Sequence, residues 1–380
     1  MNKVELTPEL LRELQLKQLP MLEYFRDFCE KNNLTFYLIG GGLIGALRNG
    51  GFVPWDDDVD VMLPRGDYEK LPKLWREQHA DGRFRLLKTD DEMFTGNIFI
   101  TITDTDYTMV KTNQTTVDIP HGLVLDVFPL DVAPDGRFAR KMQFVWTMIY
   151  SLFLAQVVPE NNGGLMAFGS KVLLGIFRGK KIRNKIWRMA ERHMTKYKLS
   201  ENKCVTELCA GPKWMRPEYP KRIYEGVDYV TFEGLRMPCM KGYDEYLTMV
   251  FGDYMTPPPA DKQKPHHDVA YLDLNTPCEV YDREHKDEFT SRQLERGLLR
   301  KICGILKNFC GRKVQELSFR TCSDRASRYL PRRSYAEAQR AWKRDFQRQS
   351  EGLPEYANQR ILRGKNAPRY RHRTDKAEGL

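Results

Sequence analysis

The chain has 380 residues, 41% of them hydrophobic, enough to bury the core of one large domain or two smaller ones and too many for a disordered, low-complexity chain. Its net charge of +10 is unevenly placed: residues 281–380 hold 25 Lys and Arg against 13 Asp and Glu, which leaves the rest of the chain near neutrality. Eight cysteines with no CxxC pair argue against a zinc ribbon or a disulfide framework, and the opening Met-Asn-Lys-Val-Glu-Leu-Thr-Pro has no apolar signal segment, so the expected setting is cytoplasmic.

Thr7 before Pro8 and Glu9 reads as a helix N-cap, and Leu11, Leu14, Leu16, Leu19 and Leu22 carry an amphipathic helix toward Lys31. Residues 34–39 (Leu-Thr-Phe-Tyr-Leu-Ile) have the β-branched and aromatic content of a buried strand. Gly40, Gly41 and Gly42 close that strand and open a short helix over 43–48, which Asn49-Gly50-Gly51 stops. An Asp-rich turn then leads into a strand over 59–63 and a helix over 65–78. Further strands are predicted at 84–87, 97–103, 107–110, 115–119 and 123–128. Residues 1–135 thus read as an α+β (mixed α/β) core, a sheet with flanking helices.

Past residue 135 the texture becomes helical and loop-rich, and residues 136–280 form a second region that completes the site. Residues 142–158 are hydrophobic on nearly all sides and residues 165–177 repeat the pattern, but 17 residues with two glutamines are short for a membrane span. Two readings stay open for 142–177: buried helices, or an interfacial hairpin on an anionic membrane, the latter favoured by Trp146, Tyr150 and the basic run Arg178-Gly179-Lys180-Lys181-Ile182-Arg183. A helix over 182–198 follows, then a loop-heavy stretch over 211–260 rich in Pro, Tyr and Gly. Residues 281–380 make a basic, mainly helical tail, loosely ordered past Gly352, that suits peripheral contact with the inner face of the cell membrane or a solvated end. Nucleic acid is the least favoured partner, because no aromatic-interleaved groove or recognition motif accompanies the basic residues.

The chemistry concentrates at Asp56, Asp57, Asp58 and Asp60, set among Val59, Val61, Met62 and Leu63. On a strand Asp58 and Asp60 share a face about 7 Å apart, a repulsion of about 2 kcal/mol at an effective dielectric of 20. A divalent cation would reverse its sign. Bare glycine amides at a helix start can face phosphate oxygens, and Leu125-Asp126-Val127 supplies a third carboxylate on a later strand. The plainer alternative is a capped turn of solvated carboxylates with Asp126 as a satisfied edge residue. An EF-hand is excluded, since no glycine at loop position six or glutamate at twelve follows Asp56.

Five segments carry a family resemblance: Tyr37-Leu-Ile-Gly-Gly-Gly-Leu-Ile-Gly-Ala-Leu-Arg48, Gly51-Phe-Val-Pro-Trp-Asp-Asp-Asp-Val-Asp60, Arg65-Gly-Asp-Tyr68, Leu125-Asp-Val-Phe-Pro-Leu-Asp131 and Phe251-Gly-Asp-Tyr-Met-Thr-Pro-Pro258 with His266-His267. Over residues 20–275 the chain resembles the LicD family, related to the fukutin group. The resemblance implies a nucleotidyltransferase-like fold and transfer of phosphocholine or a polyol phosphate from a CDP-linked alcohol donor to a glycan acceptor. It implies that Asp58, Asp60 and Asp126 hold Mg²⁺ (or Mn²⁺), with Asp56 and Asp57 beside them or as a further ligand, and that Gly41 and Gly42 lie against the donor phosphates. Arg48, Arg65, His266 and His267 are candidates to clamp phosphate. Arg48 could instead pair with Asp56 or Asp57, the histidines could cap the Pro-rich loop, and Trp55 either stacks on the base or packs under the Asp turn. The competing functions are nucleotidyl transfer to a small molecule or protein, and a non-catalytic metal-binding scaffold in glycan assembly.

Overall fold

The computed structural model describes residues 3–78, 82–156, 164–177 and 179–286, so the basic tail beyond 286 lies outside the described residues. The chain starts with helix α1 (Pro8–Lys31), whose Thr7 hydroxyl accepts from the Leu10 N–H as the sequence predicts. Strand β1 (Tyr37–Leu38) runs into α2 (Gly40–Asn49), β2 (Asp60–Pro64) and α3 (Arg65–Glu77). Strands β3 (Phe84–Leu87), β4 (Ile100–Asp104), β5 (Thr108–Lys111) and β6 (Leu123–Ala133) follow. Helices α4 (Arg137–Ala155), α5 (Gly164–Ile176) and α6 (Lys180–Met194) come next, then β7 (Cys204–Thr206), β8 (Tyr219–Pro220), β9 (Val227–Phe232), β10 (Leu235–Met240), α7 (Tyr243–Phe251), β11 (Val269–Asp273) and α8 (Cys278–Glu284). The fold is mixed α+β, as the sequence predicts.

Among the described residues the main sheet has the order β1-β2-β6-β4-β3, with β7 continuing beside the end of β6 and β8 beside β7. Its centre is β6, which runs parallel to β2 and antiparallel to β4. Leu125, Val127 and Leu130 of this strand are buried, as are the neighbouring Val61, Met62, Leu63, Ile100 and Ile102. Apolar side chains on both faces require cover on both, and helices α1, α2 and α3 contribute Phe25, Phe28, Leu43, Tyr68, Leu71 and Trp75 to the same core.

Two predicted segments differ from what forms. Residues 115–119 make turns rather than a strand: Gln114 N–H bonds back to Lys111 and Val117 N–H to Gln114, closing tight turns before the chain can extend. Residues 211–260 are more regular than their composition implies, holding the β9–β10 hairpin and α7. Glu233 at φ 50° and Gly234 at φ 81° form the hairpin turn, the left-handed pair that a two-residue connection needs.

The two apolar runs part company. Helix α4 turns Gln143, Thr147, Tyr150, Phe153 and Leu154 inward against Trp187, Ala190 and Met194 of α6, making a second core. Gln143 sits fully inside it, its Nε2 donating to Val132 O and Met194 O, both at 2.8 Å. Helix α5 sends Leu174 into the same cluster. No described helix is long and apolar enough to cross a membrane.

Candidate active site

The site forms where β1 hands over to α2 and where β2 and β6 lie side by side. Parallel pairing sets Asp60 opposite Asp126, so two carboxylates occupy adjacent strands about 4.8 Å apart on one face. Asp56, Asp57 and Asp58 lie in the loop before β2, not on the strand itself. Helix α1 grips this loop from behind: Gln15 Nε2 donates to Val53 O and Asp56 O, and Gln18 Nε2 to Asp57 O. The first turn of α2 presses on it from the other side. A Cβ built on Gly41 would stand 1.9 Å from Asp56 Oδ2, so only glycine fits while Asp56 keeps its place.

A second layer comes from far along the chain. Strand β11 pairs antiparallel with β5, and the register Val269 to Lys111 carries the preceding His266-His267 segment onto the acidic loop. Both histidine N–H groups donate to Asp57, at 2.7 Å to Oδ1 and 3.2 Å to Oδ2. His267 Nδ1 lies 3.2 Å from Asp57 Oδ2 and 3.5 Å from Asp58 Oδ2, and His266 Nδ1 lies 3.5 Å from Asp56 Oδ1. Lys111 Nζ sits between His267 Nε2 at 3.2 Å and Asp126 Oδ2 at 3.5 Å. Asp126 also accepts from Thr101 Oγ1 at 2.8 Å, and Thr101 accepts from Asn97 Nδ2 at 3.0 Å.

The electrostatics follow from this crowding. Burial and then the negative field of Asp56 push the Asp58 carboxyl up to about 7. Burial, Asp58 and Asp126 raise Asp60 well above the usual carboxylate range. Asp57 goes the other way: burial alone would raise it, but the bonds from His267 and His266 hold it below its ordinary value. His266 rises to about 9, chiefly through the Asp56 carboxylate that lies 3.5 Å from its Nδ1. The cluster therefore contains one carboxylate satisfied by the protein, Asp57, and others that repel each other.

Ligating atoms of Asp56, Asp57, Asp58 and His266 lie within 4.8 Å of one another, and Asp56 Oδ1 is buried without a hydrogen bond among the described residues. A cluster with an orphaned oxygen and raised carboxyl pKa values is one that could bind a metal ion. This group shares Asp56 and Asp58 with the set expected from the sequence. Asp60 and Asp126 adjoin it through the strand pairing.

Of the expected phosphate clamps, His266 and His267 join the cluster and the two arginines do not. Arg48 reaches Tyr254 O at 3.3 Å and stacks over Trp55, rather than pairing with Asp56 or Asp57. Arg65 follows the far end of β2, five residues and about 16 Å from Asp60. There it makes a two-pronged bond to buried Asp131 at 2.7 and 2.6 Å, so its guanidinium is spent on structure. Sequence reasoning missed Lys111, Thr101, Asn97, Gln15 and Gln18. The signal for Lys111 was a lysine closing the otherwise apolar run Met109-Val110, and a crowd of carboxylates calls for a cation nearby.

A family model described as LicD/FKTN/FKRP, nucleotidyltransferase domain, matches residues 33–147, which contain β1 to β6 and all the aspartates of the cluster. Among curated proteins, the lipopolysaccharide cholinephosphotransferase LicD of Haemophilus influenzae is 29% identical over 271 residues, 69% of this chain and 98% of that protein. Mannosyltransferase regulator 4 of Saccharomyces cerevisiae is 25% identical over 170 residues, 42% of this chain and 14% of the yeast protein. An uncharacterized protein of Rickettsia prowazekii is 30% identical over 77 residues, 19% of this chain and 29% of that protein.

Proposed function

We propose that the chain, whose residues 33–147 match the LicD/FKTN/FKRP nucleotidyltransferase domain, transfers a phosphorylated alcohol, phosphocholine first among the candidates, from a CDP-linked donor to a hydroxyl of a cell-surface or lipid-linked glycan. The observation that carries the reading is the in-register pair Asp60 and Asp126 beside a loop of three more aspartates at a glycine helix start. In this reading Asp58, Asp60 and Asp126, with Asp56, hold Mg²⁺ or Mn²⁺, since an oxygen-rich donor set suits a hard cation. The cation, when bound, supplies neutralisation of the charge that develops on the donor phosphates. Gly41 and Gly42 let the α2 backbone approach those phosphates, and the positive helix start favours them. Lys111, held between Asp126 and His267, adds a fixed positive charge facing the same place. Asp126, oriented by Thr101, takes the proton of the attacking hydroxyl.

Label placement tests the reading. CDP-choline, CDP-ribitol and CDP-glycerol labelled in the cytosine ring are incubated with the enzyme, a divalent cation and a glycan acceptor. Label that stays in CMP while the acceptor gains the alcohol phosphate supports group transfer, and label in the acceptor replaces it with nucleotidyl transfer. Asp60→Asn should lower the rate by about a thousandfold or more with the fold retained. A folded chain that transfers nothing from any of these donors overturns the proposal in favour of a scaffold.

A further inference from the structure

The corner where α5 meets α6 presents an apolar surface that the described residues leave uncovered. Val172, Leu173 and Ile176 of α5 and Phe177 just after it are exposed, and they fall in a stripe about 140° wide on the helix. Ile176 is 65% exposed, and Ile182 at the start of α6 adds another open side chain at 48%. Leu174 anchors α5 in the second core, and Phe177, at the edge of the stripe, turns edge-on to buried Phe153 at 5.8 Å. Arg183 ties the corner together, donating through Nε to Phe177 O and through Nη2 to Leu174 O, both at 3.0 Å. The apolar stripe is thus held outward by a braced turn.

Charge identifies what would cover it. Residues 161–190 contain seven basic residues and no Asp or Glu, and the acid that reaches them from elsewhere among the described residues, Asp91, is paired with Arg188 at 2.8 Å. Of these, Lys180, Lys181 and Lys185 are exposed on α6, in the same turns as Ile182, while exposed Lys171 lies on the far side of α5 from the stripe. A second copy of the chain docking here across a two-fold axis would bring two such cationic rims together, which opposes association. An anionic bilayer meets both demands: acyl chains accept the stripe and headgroups accept the lysines, each basic residue strengthening partitioning by about fivefold.

We propose that the α5–α6 corner is a membrane-docking site that seats the protein on the interface of an anionic bilayer without crossing it. Lipid contact through this corner stands independently of the transferase reading.

Co-sedimentation of the full chain with phosphatidylcholine vesicles, with and without roughly one-third phosphatidylglycerol, tests it. The expected result is binding that needs the anionic lipid and falls about tenfold or more in Val172→Asp/Ile176→Asp, with an unchanged thermal midpoint. Ile182→Asp, on a different helix, should weaken binding in the same direction and guards against a local folding defect. Equal binding by wild type and both variants would move attachment elsewhere on the chain and overturn the proposal. So would a wild type that ignores anionic vesicles. A wild-type dimer that light scattering shows becoming monomeric in the variants, without vesicle binding, would assign the stripe to self-association instead.

Discussion

Gly41 is the residue at which the backbone and the acidic loop come closest, and it makes a sharp test of the site. By helix propensity alone Gly41→Ala should stabilise α2 by a few tenths of a kcal/mol to about 1 kcal/mol. The new Cβ would stand 1.9 Å from Asp56 Oδ2, however, so the Asp56 carboxylate must rotate away from His266 and its neighbours. The expected outcome is a loss of about tenfold or more in kcat/KM for the donor, with a thermal midpoint within a few degrees of wild type. Full activity would mean that Asp56 has no part in holding the cation or the donor. Stability and activity are separable here because the clash falls on a functional side chain rather than on the core.

At the scale of elements, β6 ties two ends of the sheet together. One end bears Asp126, facing Asp60; five residues on, Asp131 anchors the start of α3 through Arg65. Both members of that pair are nearly inaccessible, so removing one strands a buried charge. Asp131→Ala should cost about 3–5 kcal/mol in urea unfolding, and Arg65→Met/Asp131→Leu should recover much of it. The folded fraction of either variant should keep its KM for the donor, whereas a KM raised tenfold would return Arg65 to the phosphates. This arginine–aspartate pair also marks the limit of legibility. Spacing and residue type were enough for α1, β2, α3 and β6, because strong apolar periodicity fixes each of them locally. The glycine helix start and the place of Asp126 on a later strand were legible for the same reason, but the register that sets Asp126 opposite Asp60 was not. What escaped was everything decided by distant contacts: Lys111 meets His267 only through the β5–β11 register, and Arg65 is claimed by Asp131 rather than by the site. The β9–β10 hairpin escaped too, since Glu233-Gly234 is a weak turn signal until Arg12 and the Phe52 N–H fix the glutamate carboxylate.

The whole molecule also carries a pH dependence that does not involve the site. Glu207, beside β7, is buried in the main core with the Tyr246 hydroxyl donating to it at 3.2 Å, and burial pushes its carboxyl up to about 7. A folded-state pKa above the unfolded value of about 4.5 means that the native chain holds a proton the unfolded chain has lost. Stability from this group is complete below about pH 4.5 and disappears as pH rises to about 7. Its share amounts to about 3 kcal/mol, so Glu207→Gln should flatten the unfolding free energy between pH 5 and pH 8 by about that amount. An unchanged slope in the glutamine variant would show that Glu207 ionises freely. The clasp of His266 and His267 over Asp57 has a different consequence, one of timing. On the ribosome the aspartates are all made by residue 126, but the histidines follow some 140 residues later, about 7–28 s at common elongation rates. For that interval the emerging sheet holds its carboxylates unclasped, and the nascent chain acquires a finished pocket only as its closing strand slides into place beside β5.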